Sequence, residues 1–152
     1  MAIYVGVIGA GRSDDHVERV AEDVGRLLAE AGAIVVCGGL HGAMAGVCRG
    51  AQRAGGTTVG ILPGLDRADA NEWVDIALPA GMGEMRNVLI VRASDVLVAV
   101  GGEYGTLSEI AFALREGIPV VGVGTWDIRG VEVASDAADA VARALDHARR
   151  RR

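Results

Sequence analysis

The sequence predicts an α/β protein: a doubly wound, Rossmann-like sandwich on a mostly parallel sheet of about six or seven strands. Short runs rich in Val and Ile alternate along the chain with segments of helical apolar spacing. These runs are nearly continuous, which indicates strands buried on both faces, and strand–helix alternation produces right-handed parallel crossovers. With 152 residues the chain has the size of one domain, so we expect residues 1–152 to form a single Rossmann-like unit.

The predicted elements follow one another in a regular order. The first strand covers residues 3–9, and apolar residues then recur every three or four positions through a helix at 13–31. The segment 65–75 has no clear period and is predicted to be a loop over one edge of the sheet. The other strands are predicted at 33–39, 57–63, 74–79, 95–102 and 119–124, and the other helices at 42–54, 82–93, 106–116 and 135–149.

The composition is that of a globular protein, with 51% hydrophobic and 23% charged residues. No apolar stretch approaches the roughly 20 residues that cross a bilayer, and the first residues do not resemble a signal peptide. We therefore expect a cytoplasmic protein with no membrane partner. Cys37 and Cys48 lack metal-ligand spacing, so we expect small buried side chains there and no metal site.

Charge and residue inventory exclude several classes of function. The net charge of −5 disfavours nucleic acid, and the only basic run is the terminal ARALDHARRRR. All 15 basic residues are arginine, and the sequence contains no lysine. The chain therefore cannot form a pyridoxal phosphate (PLP) Schiff base or supply the lysine of a P-loop, which excludes PLP as a cofactor.

Three predicted strands end in glycine clusters, at residues 9–13, 38–42 and 101–106. Ligands of doubly wound sheets lie beyond the carboxyl ends of the strands, where glycine lets backbone N–H groups approach an anion and a helix begins. The clusters therefore predict a phosphate cradle, although strand-to-helix turns also use glycine for purely structural reasons. The candidate residues are Gly9, Gly11, Ser13, Gly38, Gly39, Gly42, Gly101, Gly102 and Gly105.

The first cluster does not predict a dinucleotide site. In GAGRSD, Asp14 stands where a third glycine is required, and its charge would repel a pyrophosphate. The second predicted strand ends in Gly38 and Gly39, without the acidic residue that would hold the ribose hydroxyls. Both features argue against NAD as a ligand.

The third cluster has two interpretations. Thr106 and Glu109 have the spacing of a helix capping box, in which each side chain bonds a backbone N–H of the first turn. Alternatively, Thr106 contacts a phosphate and Glu109 contacts a ribose or takes part in catalysis. Because Glu109 lies near a predicted helix N-terminus, we expect its carboxyl group to be ionised.

Longer motifs resemble a known family. VGGEYGTLSE resembles the PGGxGTxxE motif of the LOG-like family, often labelled lysine decarboxylase-like, which includes cytokinin-activating phosphoribohydrolases. CGGLHGAMAG resembles the family's GGGxxGLMG turn, GILP resembles its G-[VI]-[IL]-P strand end, and MRNVLIVRASDVLVAV resembles the segment from the arginine of MHxRK onwards. The resemblance covers residues 3–123. Within the family, the sequence looks most like the molybdenum cofactor carrier proteins and their bacterial relatives.

The resemblance implies a functional pair, Arg86 and Glu109, with Arg86 binding a phosphate or forming a bidentate pair with Glu109. Asn87 stands where the family has lysine, and the motif's histidine is absent, which favours a carrier over a hydrolase. The implied ligand is a phosphorylated nucleotide-like or pterin-like molecule, such as a nucleoside monophosphate or the molybdenum cofactor. The alternative is a nucleoside 5′-monophosphate phosphoribohydrolase.

Three side chains and the assembly state complete the predictions. Asn87 either hydrogen-bonds a base or pterin edge or caps a helix, and Met44 either lines the pocket or packs in the core. His41 either reaches the ligand or lies exposed in its turn, and the exposed position is the one we expect. The resemblance also implies a homo-oligomer, either a dimer or a tetramer.

Overall fold

A computed structural model describes residues 1–12 and 14–152, so the predicted site residue Ser13 lies outside the described residues. The strands are β1 (Tyr4–Gly9), β2 (Ile34–Cys37), β3 (Thr57–Leu62), β4 (Ile76–Pro79), β5 (Val96–Val100), β6 (Val120–Val123) and β7 (Val131–Val133). The α-helices of the described chain are α1 (Asp15–Glu30), α2 (Ala43–Arg53), α3 (Asn87–Arg92), α4 (Tyr104–Arg115) and α5 (Ala137–Arg150).

The strands form one sheet in the order β4-β3-β2-β1-β5-β6-β7. Every neighbouring pair is parallel, so the predicted doubly wound fold is confirmed and the sheet is parallel throughout. The chain moves outward from β1 to β4 and then returns to place β5 on the other side of β1. This reversal opens a crevice beyond the carboxyl ends of β1 and β5, where ligands of such sheets bind.

Helices cover the two faces of the sheet unequally. One core cluster joins the sheet to α1, α2 and α5, and includes Val24, Val47 and Val141. The other joins the opposite face to α3 and α4, and includes Ile90 and Ile110. Because α3 has only six residues, the second layer is the thinner one, and it leaves the side chains that precede α3 close to the crevice.

Some element boundaries differ from the prediction. The sequence prediction places six strands and gives no position for β7. This strand has only the three residues VEV and lies partly exposed at the sheet edge, so its sequence signal is weak. The predicted helix at 82–93 is divided into a 3-10 turn, Gly83–Arg86, and α3. The segment 65–75 is a connection to the edge strand β4, as expected, and contains a 3-10 turn at Arg67–Asp69.

The two cysteines agree with a further expectation from the sequence. Cys37 and Cys48 are buried and free, with their sulfur atoms 3.4 Å apart, so the prediction of small buried side chains is confirmed. In the described part of the chain, no helix is long and apolar enough to cross a membrane.

Helices α1 and α2 pack backbone against backbone through glycines. A Cβ on Gly50 would lie 2.0 Å from the carbonyl oxygen of Glu22, and one on Gly25 would lie 2.0 Å from that of Val47. No side chain fits at these distances, so either residue can be enlarged only if the helices separate.

We expect Gly50→Ala to lower the free energy of unfolding by about 1–3 kcal/mol, because overpacking the α1–α2 contact outweighs the higher helix propensity of alanine. Urea denaturation followed by tryptophan fluorescence measures this change. Gly105→Ala is the matched control, since Gly105 is also helical but has no atom within 4 Å of an added Cβ. Equal stability of the two variants would contradict the close helix contact.

Candidate functional site

A cavity of about 250 Å³ lies beyond the carboxyl ends of β1, β2 and β5, in the crevice created by the strand reversal. Its walls come from the turns that follow these three strands and from the 3-10 turn before α3. The lining residues are Val7, Ile8, Gly9, Ala10, Gly11, Gly38, Leu40, Met44, Glu84, Arg86, Asn87, Ile90, Glu103, Gly105, Thr106 and Glu109.

Most residues that the sequence singled out lie in this cavity, although they come from four separate segments. Those that line it are Gly9, Gly11, Gly38, Met44, Arg86, Asn87, Gly105, Thr106 and Glu109. Four predicted glycines, Gly39, Gly42, Gly101 and Gly102, are not among the lining residues. His41 is exposed in its turn.

The glycines outside the lining give the surrounding turns their shape. Gly42 has a φ of 65°, and a Cβ there would lie 2.3 Å from the carbonyl oxygen of Ala10. Gly102 has a φ of 116°, and its Cβ would lie 2.5 Å from the side chain of Thr106. These positions therefore require glycine for backbone conformation and close packing.

Helix α4 begins two residues earlier than predicted and has no side-chain cap. Its N-cap is Glu103, whose side chain makes no capping hydrogen bond, and Thr106 already lies inside the first turn. The capping-box interpretation of Thr106 and Glu109 is therefore wrong, because Gly102 turns the chain into the helix before Thr106 is reached. In the described chain, no acceptor takes the backbone N–H groups of Gly105 and Thr106.

Arg86 is buried, with 4% exposure, and fixed by strand-end carbonyls. Its Nε donates to the Ile61 carbonyl oxygen at 2.8 Å, Nη2 donates to that of Gly38 at 3.4 Å, and Nη1 donates to Asn87 Oδ1. A Cβ on Gly38 would lie 2.7 Å from Nη2, so only glycine leaves room for the guanidinium.

Arg86 does not pair with Glu109 as expected. Among the described residues, the carboxylate nearest to its guanidinium in an ion pair is that of Glu84, at 3.7 Å. The bidentate pairing is therefore wrong, because the nitrogens of Arg86 already donate to the backbone and to Asn87. The positive charge of Arg86 still acts on Glu109 through space.

Glu109 is 8% exposed, and no hydrogen bond from a residue in the described segments reaches its carboxyl group. Burial raises the pKa of Glu109 to about 8, and the positive charge of Arg86 lowers it only in part. The expectation of an ionised carboxylate is therefore wrong. Glu109 is the sixth residue of α4, beyond the first turn where a helix N-terminus favours an anion, so desolvation dominates.

A second cavity, of about 200 Å³, lies on the other side of Glu109. It shares Glu84, Asn87 and Glu109 with the first cavity, and it is otherwise lined by Met85, Val88, Ser108 and Phe112. Asn87 therefore faces both spaces. Because Oδ1 accepts from Arg86, the Nδ2 group of Asn87 is available to donate.

Two acidic residues of the main cavity were not identified from the sequence. Glu84 and Glu103 line it with side chains that are 84% and 57% exposed. A signal for each was present: Glu103 lies inside the glycine cluster GGEYGT, and Glu84 precedes Arg86 by two residues. The other lining residues that were missed are apolar or contribute backbone: Val7, Ile8, Ala10, Leu40 and Ile90.

The chain is similar to proteins with two different described activities. It is 49% identical over 115 residues to an uncharacterised protein of Archaeoglobus fulgidus, covering 76% of each chain. It is 32% identical over 127 residues to a cytokinin riboside 5′-monophosphate phosphoribohydrolase of Mycobacterium tuberculosis, covering 75% of this chain and 67% of that one. The Moco (molybdenum cofactor) carrier protein of Chlamydomonas reinhardtii superposes with a TM-score of 0.90 at 35% identity, covering 99% of both chains.

A family model covers nearly the whole sequence. The model of the SLOG cluster4 family matches residues 2–149. The resemblance drawn from the glycine motifs is thereby confirmed and extends beyond residue 123 to the last helix. This chain belongs to the SLOG cluster4 family.

Proposed function

We propose that the protein binds a phosphorylated nucleotide-like or pterin-like small molecule in the main cavity, as a carrier or sensor. One observation carries the proposal: the uncapped N-terminus of α4 opens into a cavity that also holds Thr106 and Glu109. Both residues are more than nine-tenths buried, both border the cavity, and no hydrogen bond from the described residues reaches either side chain. A polar ligand in the cavity would pair with these side chains and with the first-turn N–H groups of α4, which supports the proposal.

The hydrogen-bond donors of the cavity form two groups, one suited to the phosphate of such a ligand and one suited to its ring. The N–H groups of Gly105 and Thr106, together with the Thr106 hydroxyl, suit a phosphate at the positive end of the helix. Asn87 Nδ2 and the protonated carboxyl of Glu109 are hydrogen-bond donors that suit the nitrogen and carbonyl acceptors of a purine or pterin ring. Similarity to the Chlamydomonas Moco carrier protein supports the pterin alternative.

Replacing Gly105 by valine tests the cradle. The variant should fold, because an added Cβ meets no atom within 4 Å. Its isopropyl group would occupy the space in front of the first-turn N–H groups, so we expect at least tenfold weaker binding. Isothermal titration calorimetry with AMP, and with molybdenum cofactor released from a molybdoenzyme, measures the loss. Ala111→Val on the exposed side of α4 is the control, and unchanged binding by Gly105→Val would place the site elsewhere.

The second candidate function, hydrolysis of a nucleoside 5′-monophosphate, is favoured by the protonation of Glu109. Breaking the N-glycosidic bond requires a proton for the departing base while water adds to the ribose carbon, which yields free base and ribose 5-phosphate. A carboxyl group with a pKa near the working pH is an effective donor of that proton. The similar phosphoribohydrolase of M. tuberculosis supports this alternative.

Incubation with AMP, followed by chromatography of adenine and ribose 5-phosphate, separates the two functions. If Glu109 is the acid, release should fall tenfold per pH unit above about pH 8, as the carboxyl group loses its proton. It should also fall by about 100-fold or more in Glu109→Gln. Binding of AMP without release would support the carrier, and release that survives in Glu109→Gln would contradict the role of Glu109.

A further inference from the structure

An ion pair crosses the rim of the main cavity. Arg12, in the turn after β1, lies with its Nε 3.5 Å from a carboxylate oxygen of Glu103, in the turn after β5. Since β1 and β5 are neighbours at the strand reversal, the pair joins the two walls of the crevice. The side chains are 84% and 57% exposed, so the contact can open without disturbing the core.

Two hydrogen bonds hold the backbone carbonyl group of Glu103 in place. Its carbonyl oxygen accepts the indole N–H of Trp126 at 3.1 Å and the backbone N–H of Leu107 at 3.0 Å. The Trp126 ring also packs on Tyr104, with ring centroids 6.0 Å apart. The backbone of Glu103 is therefore fixed beside the proposed phosphate site, while its side chain does not cap the helix and pairs with Arg12.

Arg86 and Arg12, the two arginines near the cavity, differ in whether their guanidinium groups are accessible to an anion. Arg86 is buried, and its three donor nitrogens bond Ile61, Gly38 and Asn87. Arg12 is exposed, and in the described ranges 1–12 and 14–152 its carboxylate partner is Glu103, which a stronger anion can replace. Arg12 is therefore the cation at this rim that is free to exchange partners on binding.

We propose that Arg12 and Glu103 form a charged latch, in which Arg12 exchanges the carboxylate of Glu103 for the phosphate of the incoming ligand. The inference rests on the proposed binding of a phosphate at the start of α4. Glu103 then acts as a selectivity residue. Its charge opposes a phosphate dianion more than a monoanionic diester, because Coulomb repulsion grows with the charge of the ligand.

Calorimetric titration of three variants with AMP, cyclic AMP and adenosine at low salt tests the latch. Glu103→Gln should bind AMP about twofold to fivefold more tightly, the range for exposed charge pairs, with a smaller gain for cyclic AMP and none for adenosine. Arg12→Gln should bind AMP more weakly by a similar factor. Glu30→Gln, which removes one charge from the exposed Arg26–Glu30 pair at 3.1 Å, should match the wild type.

The outcomes distinguish the latch from the function on which it rests. AMP binding by the wild type, with no change in Glu103→Gln or Arg12→Gln, would overturn the latch and leave the proposed function standing. Equal gains in Glu103→Gln and Glu30→Gln would also overturn it, since net charge alone would explain them. If neither the wild type nor any variant binds AMP or cyclic AMP, both proposals fail.

Discussion

Replacing Glu109 by glutamine should stabilise the protein at pH 9 by up to about 4 kcal/mol, while leaving its stability at pH 5 nearly unchanged. The folded-state pKa of about 8 lies above the ordinary value of 4.5, because burial disfavours the carboxylate. The folded chain therefore holds a proton that the unfolded chain releases. The stability linked to this proton is fully present below about pH 4.5 and is lost as the pH rises through 8. Glutamine is neutral at every pH and avoids the loss.

Urea denaturation of wild type and Glu109→Gln between pH 5 and pH 9 measures this difference. Glu30→Gln is the control, because it makes the same chemical change at an exposed carboxylate. If the wild type and Glu109→Gln stay equally stable up to pH 9, the carboxyl group of Glu109 is hydrated rather than buried. The proposed proton donor to a leaving base would then be lost as well.

Replacing Arg86 by methionine should lower the free energy of unfolding by about 3 kcal/mol or more, since hydrogen bonds to a charged group contribute about 1.5–3 kcal/mol each. The change leaves the carbonyl oxygens of Ile61 and Gly38 without their donor. It also frees Asn87 from Arg86. We therefore expect weaker ligand binding together with the lower stability, and Arg86→Lys should restore little, because an ammonium group lacks the planar fork.

Chemical denaturation followed by the fluorescence of Trp73 and Trp126 reports the loss. Arg92→Met is the matched control: Arg92 is 61% exposed and 3.6 Å from Glu116, and removing such a pair should cost about 1 kcal/mol or less. Equal destabilisation by the two substitutions would contradict the structural role assigned to Arg86. A stable Arg86→Met variant that no longer binds ligand would instead show that Arg86 contacts the ligand directly.

The fold was predictable because its signals are local. Runs such as VLVAV at β5 are buried along their whole length, and the glycine clusters mark where β1, β2 and β5 end. Parallel topology then brings these ends to one edge of the sheet, so Gly9, Gly38 and Gly105 were expected to meet. The edge strand β7 gave a weak signal because it is short and partly exposed.

The chemistry of the site depends on contacts that a one-dimensional pattern does not contain. The spacing of Thr106 and Glu109 fits a capping box, but the positive φ of Gly102 starts the helix earlier and leaves both side chains in the cavity. The ionisation of Glu109 depends on what buries it, and the partners of Arg86 come from β3 and from the turn after β2.

By itself, the sequence determined the doubly wound fold, the LOG-like family, the exclusion of lysine chemistry and most of the residues that line the cavity. Periodicity and residue inventory are read along the chain, and the family and the role of Arg86 are implied by the resemblance of its motifs, so none of these conclusions needs coordinates. Only the tertiary structure decided that burial raises the pKa of Glu109, that Arg86 bonds the backbone instead of Glu109, and that Glu103 faces Arg12 across the rim. Protonation and pairing depend on burial and distance, which arise only when distant segments fold together.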